Sequence, residues 1–88
     1  MTTREALEKF INDCEQTLEF ARGQLIEGSR LVNADTPEEY IEAQQMLEER
    51  YNELQAIYRS ANAQQRERLD RLRYAIQSLQ NEMILKNH

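Results

Sequence analysis

The sequence predicts an all-α chain folded as an up-down-up antiparallel bundle of three helices. Three observations carry this. Strong helix formers dominate, with Ala, Glu, Gln, Leu, Arg, Lys and Met supplying 54 of 88 residues. Val, a sheet former, occurs once, Gly twice and Pro once. Apolar residues recur at alternating steps of four and three, the period of one helix face, in three stretches separated by two breaks. Residues 1–88 therefore read as a single helical domain, with helices over about 3–32, 37–60 and 63–86. A chain of 88 residues excludes two domains and any large enzyme scaffold. The alternative architecture is a long helical hairpin completed by dimerisation.

The first helix opens on Thr2-x-x-Glu5, a capping box in which a hydroxyl accepts a free amide and the carboxylate reaches back. Its stripe is Leu7, Ile11, Cys14, Leu18, Ala21, Leu25, Gly28 and Val32. Phe10 sits on the shoulder of that stripe, Phe20 opposite it and Leu31 away from it. Gly23 and Gly28 weaken the second half, each by about 1 kcal/mol against Ala.

Asn33-Ala34-Asp35 is the clearest break, and Thr36-Pro37-Glu38-Glu39 restarts a helix. Thr36 is a favourable N-cap, Pro37 occupies the first helical position where a missing amide costs nothing, and Glu39 completes a capping box. The second stripe is Tyr40, Gln44, Leu47, Tyr51, Leu54, Tyr58 and Ala61, broadened by Ala43, Met46 and Ile57. So wide an apolar arc suits a helix that touches two neighbours.

Ser60-Ala61-Asn62-Ala63 is a weaker break, where Asn62 can cap a third helix with Gln65 at the capping-box position. Beyond Ala61 the stripe resumes out of phase at Leu69, Leu72, Ile76, Leu79 and Met83. A turn accounts for the jump, as would a continuous helix with a phase slip; the turn is preferred.

The sequence holds no recognisable site for chemistry, so no catalytic residue, cofactor or metal is expected. The single histidine, His88, stands at the end of the chain, and no helical Glu-x-x-His pair, EF-hand loop or Gly-rich phosphate loop occurs. Cys14 lies on the apolar stripe with no internal histidine to activate it, and reads as a small buried hydrophobe. One cysteine cannot form an intramolecular disulfide. The carboxylate pairs Glu15/Glu19, Glu38/Glu42 and Glu49/Glu53 lie off the stripes and are expected to be solvated. Tyr40, Tyr51 and Tyr58 share one stripe and are expected to pack in the core with their hydroxyls at its rim. No apolar run approaches the roughly 18–20 residues of a membrane span, and the charged opening predicts no secretory leader. The expected address is the cytoplasm.

Charge is unevenly spread. Residues 1–58 carry a net charge of −8 and residues 59–88 a net +3, within a total of −5. Arg59, Arg66, Arg68, Arg71 and Arg73 make the last helix basic, and arginine forks suit phosphate and carboxylate. Nucleic acid is the less favoured partner, because Glu67 and Asp70 interleave the arginines, no reader motif is present and the whole chain is acidic. Pairing of this helix with the acidic first two, within a chain or between subunits, is simpler.

Three C-terminal stretches carry a resemblance. They are Ser60-Ala61-Asn62-Ala63-Gln64-Gln65-Arg66-Glu67-Arg68-Leu69, Arg71-Leu72-Arg73, and Gln77-Ser78-Leu79-Gln80-Asn81-Glu82-Met83-Ile84-Leu85. With the length and the Thr-Arg opening, they make the chain resemble the small YtzC-like proteins of Bacillus-type bacteria. That resemblance implies a cytoplasmic protein of a spore-forming bacterium and carries no activity and no site residue with it.

The expectation for function is a non-enzymatic helical interaction module that associates with itself as a homo-oligomer, or with a protein partner. A chain this small buries only about 60–65% of its unfolded surface, and oligomerisation commonly compensates. The candidate contact residues are the off-stripe apolar side chains Phe20, Ile26, Tyr74 and Leu85, provided they form a contiguous patch. The alternative is nucleic-acid binding through the arginine-rich third helix, with Arg59, Arg66, Arg68, Arg71 and Arg73 as anion contacts.

Overall fold

Three long helices form in the computed structural model, which describes residues 3–30 and 38–86. They are α1 (Arg4–Arg30), α2 (Glu38–Ser60) and α3 (Ala63–Lys86), and each packs against both others. No strand occurs among the described residues. The bundle is a rod of 48 × 19 × 15 Å. Gly28, Val32 and the Thr36-Pro37 start of the second helix lie outside the residues whose side chains are described, as does His88.

Thr3 caps the start of α1. Thr2 itself lies outside the described residues; Thr3 accepts the Ala6 amide through its Oγ1 at 3.1 Å, while its carbonyl takes the Leu7 amide at 3.0 Å. At the other break the expected turn is present. Asn62 Oδ1 accepts the Gln65 amide and Gln65 Oε1 accepts the Asn62 amide, both at 2.9 Å, a reciprocal capping box that starts α3. Arg66 reaches back from the first turn of α3 and donates to the Tyr58 carbonyl at 3.0 Å and the Arg59 carbonyl at 3.4 Å. These are orphan carbonyls of the last turn of α2, so one side chain satisfies the end of one helix from the start of the next.

The core joins Leu7, Phe10, Cys14, Leu18, Ala21 and Leu25 of α1 to Tyr40, Ala43, Leu47 and Leu54 of α2 and all five expected α3 positions. Two shoulders differ from the predicted stripes. Phe10 is buried while Ile11 only packs against the core's edge, and Ala43 is buried where Gln44 was expected to point inward. A helix with two neighbours buries both flanks of its stripe, and the helix that packs on each flank decides which shoulder goes inside.

Hydrogen bonds give the direction of the helices. Tyr40 Oη donates to the Met83 carbonyl at 2.6 Å, Gln77 Nε2 donates to Tyr51 Oη at 3.2 Å, and Tyr58 Oη donates to Asp70 Oδ2 at 3.3 Å. Positions ascend on α2 as they descend on α3, so these helices are antiparallel. Arg50 Nε on α2 donates to Thr17 Oγ1 on α1 at 3.1 Å, and Thr17 in turn donates to the Asp13 carbonyl at 3.0 Å. Thr17 is thereby buried with its hydroxyl satisfied on both sides. The first and third helices run parallel, side by side: Glu8 lies against Arg68, and further along both helices Arg22 to Ile26 lie beside Tyr74 to Glu82.

Candidate functional site

The seam between the parallel helices opens into a groove. Leu25 of α1 and Leu79 of α3 form its floor. Ala75 and Ser78 are too short to fill the space above, and a hollow of about 490 Å³ results. Ile26 and Tyr74 form its rims, 54% and 75% exposed, and Arg22 and Glu82 stand beside them. Ala75 also borders a second hollow of about 270 Å³ between Ile11 and Glu15 of α1 and Arg68, Arg71 and Leu72 of α3. The two hollows share Ala75, so both lie on the α1–α3 seam.

The four expected contact residues divide. Ile26 and Tyr74 meet across the groove although 48 positions separate them in the sequence. Leu85 is 72% exposed on α3 beyond the groove's lining. Phe20 is a correction. Placed opposite the apolar stripe by its spacing, it packs partly buried against the core, so its aromatic ring has an intramolecular role. Ile41 and Ile84 are exposed apolar residues that the stripe analysis did not single out.

The arginines are largely engaged within the chain. Arg66 caps α2 and lies over the Tyr58 ring at 5.0 Å, and Arg73 lies 5.6 Å from the same ring while donating to Asp70 at 2.9 Å. Arg68 forks onto Glu8 of α1 through both its terminal nitrogens, and Arg71 pairs with Glu67 at 3.0 Å. The Glu8 carboxyl is held below its ordinary range, first by the hydrogen bond from Arg68. Among the described residues Arg68 alone of these arginines bridges to an acidic earlier helix; Arg71 and Arg73 use the carboxylates interleaved on α3 itself. The Arg59 guanidinium makes no ion pair with a described residue and borders a hollow of about 210 Å³ with Tyr58 and Arg73.

Cys14 is fully buried, and burial pushes its thiol up to about 12 from an ordinary 9.0. A thiol held protonated in this way supplies no thiolate at neutral pH. The three carboxylate pairs lie on exposed faces. Among the described residues no group of three or more His, Cys, Asp or Glu side chains is placed to hold a metal ion. No helix among them is long and apolar enough to cross a membrane.

Residues 1–85 match the family described as proteins of unknown function, DUF2524. The chain belongs to this family. It is also 39% identical over 87 residues to a protein of Bacillus subtilis (strain 168) named "Uncharacterized protein YtzC", covering 99% of this chain and 96% of that one. The resemblance read from the C-terminal stretches thus extends along the whole chain. No solved structure matches.

Proposed function

We propose that the protein is a non-enzymatic helical interaction module that associates with itself through the face holding the α1–α3 groove. One observation carries the proposal: two large apolar side chains from different helices, Ile26 and Tyr74, flank a leucine-floored hollow at the surface. Exposed apolar residues are ordinary when scattered, but two lining one groove mark a face suited to association. The non-enzymatic reading is supported by the buried thiol and the solvent-facing carboxylates, which leave the groove without an activated nucleophile or a paired acid and base. Four of the five arginines have protein partners, which favours this reading over nucleic-acid binding. Sedimentation of the full chain from micromolar to millimolar concentration tests it. Association that rises with concentration and disappears in the Ile26→Glu/Tyr74→Glu variant, with helicity unchanged, is the expected result. A parent that stays monomeric throughout overturns self-association.

A further inference from the structure

The groove carries a charge pattern that specifies how a second copy lies on it. On the outer face of α3, Arg71 stands eleven residues before Glu82, and the midpoint between them falls between Ile76 and Gln77. On the outer face of α1, Glu19 and Arg22 bracket a midpoint between Phe20 and Ala21. These two midpoints lie at the same height along the bundle. Ile11 and Glu15 stand beside Arg68 to Ala75, and Arg22 to Ile26 beside Tyr74 to Glu82, so the level between those sets is residues 20–21 on α1 and about 76 on α3. Glu19, Arg22 and Glu82 form no ion pair with a described residue. Arg71 has only its exposed neighbour Glu67.

We infer that the groove face pairs with the same face of a second copy, antiparallel, about a two-fold axis that crosses α1 between residues 20 and 21 and α3 between residues 76 and 77. This rests on the interaction module proposed above and adds its occupant and its register. The rotation sets Arg71 of each copy against Glu82 of the other and Glu19 of each against Arg22 of the other. One interface residue meeting its complement twice is the signature of an isologous dimer. The same rotation lays each Tyr74 ring across Ser78 and Leu79 of the second copy, where the small side chain leaves room for it. The antiparallel sense also opposes the dipoles of α1 and α3, which are aligned within one bundle, to those of the second copy. The apolar groove supplies the affinity, and the rim charges set the register.

The competing arrangement is a parallel pair, which sets Arg71 against Glu15 of the second copy because these residues lie at one level. Charge reversal separates the two. In the full chain, Arg71→Glu alone and Glu82→Arg alone should each raise the dimer dissociation constant by about tenfold, since each creates two like-charge contacts. The double variant Arg71→Glu/Glu82→Arg should return it to within about twofold of the parent. Arg22→Glu and Glu19→Arg should behave in the same way as a second, independent pair. A dimer whose Arg71→Glu defect is corrected by Glu15→Arg and not by Glu82→Arg overturns the antiparallel register while leaving self-association in place. A dimer indifferent to all these reversals overturns this face as the interface. A parent that never dimerises removes both this inference and the self-association on which it rests. Helicity measured in parallel confirms that each variant is folded.

Discussion

Tyr40→Phe removes one oxygen and tests how the far end of the bundle is held. Tyr40 Oη donates to the Met83 carbonyl at 2.6 Å, and the two residues are 3% and 0% exposed. Met83 lies in the last turn of α3, whose carbonyls have no amide further along the helix to bond. The substitution keeps the ring and its packing but leaves a buried carbonyl without this donor. A net hydrogen bond contributes about 1 kcal/mol, and an orphaned buried acceptor raises the cost to about 1–2 kcal/mol. At about 4–8 °C per kcal/mol for a domain this small, Tm should fall by roughly 5–15 °C. Tyr51→Phe is the internal comparison, because its partner Gln77 is exposed and water can replace it; its cost should stay under about 0.5 kcal/mol. Alkaline melting adds a second readout. Burial raises the Tyr40 phenol above its ordinary 10.0, so the folded state favours the protonated form. That contribution is complete below about pH 10 and is lost as pH rises through and beyond that value. Tyr40→Phe should therefore lose less stability than the parent on going above pH 10. If Tyr40→Phe melts no lower than Tyr51→Phe, the buried tie to Met83 does not hold the end of α3.

Three further outcomes are expected. Gly23→Ala should stabilise the protein by about 0.5–1 kcal/mol in urea unfolding, because a Cβ at Gly23 meets nothing within 4 Å and alanine restricts the unfolded chain. Asn62→Ala should cost about 0.5–2 kcal/mol by the same measurement, since it removes the side-chain half of the capping box that starts α3. Cys14 should react with a thiol-specific disulfide reagent at neutral pH only as fast as the bundle opens, and the rate should rise steeply with denaturant; rapid labelling of the native protein would contradict its place in the core. The raised thiol also stabilises the fold fully below about pH 9, with the loss developing as pH climbs toward about 12, and Cys14→Ala should remove that part of the alkaline decline.

The legible parts of this fold are those fixed by short-range pattern. All five α3 stripe residues are buried because a four-three spacing leaves one consistent face, and the Asn62–Gln65 box is complete within four residues. Phe10 and Ile11 were not separable in this way. The spacing puts Ile11 on the stripe and Phe10 on its shoulder, and the position of the neighbouring helix reverses which goes inside. Thr17 was invisible to an apolar pattern, since it is buried through Arg50, a residue 33 positions away, and the Asp13 carbonyl. Phe20 was placed opposite the stripe because angular position ignores the reach of a large ring, which packs partly buried against the core. Ile26 and Tyr74 could be named from the sequence as unplaced apolar residues. Their convergence could not, because it depends on the parallel alignment of two helices that are not consecutive in the chain.

The same alignment explains why the groove lies where it does. The α2–α3 seam is antiparallel and is tied along its length by three tyrosine hydroxyls, each finding a partner on α3. The α1–α2 seam is tied near its middle by Arg50 on Thr17. On the parallel α1–α3 seam, the Glu8–Arg68 fork lies at one end, and toward the other the small side chains Ala75 and Ser78 leave the space between the helices unfilled. The floor there is still leucine, so the seam is apolar without being filled. Whatever covers this groove binds the folded bundle and not the unfolded chain, and so must raise its stability in step with occupancy. In a bundle only 19 × 15 Å in cross-section, the face that leaves the core incomplete is thus also the face through which association can complete it.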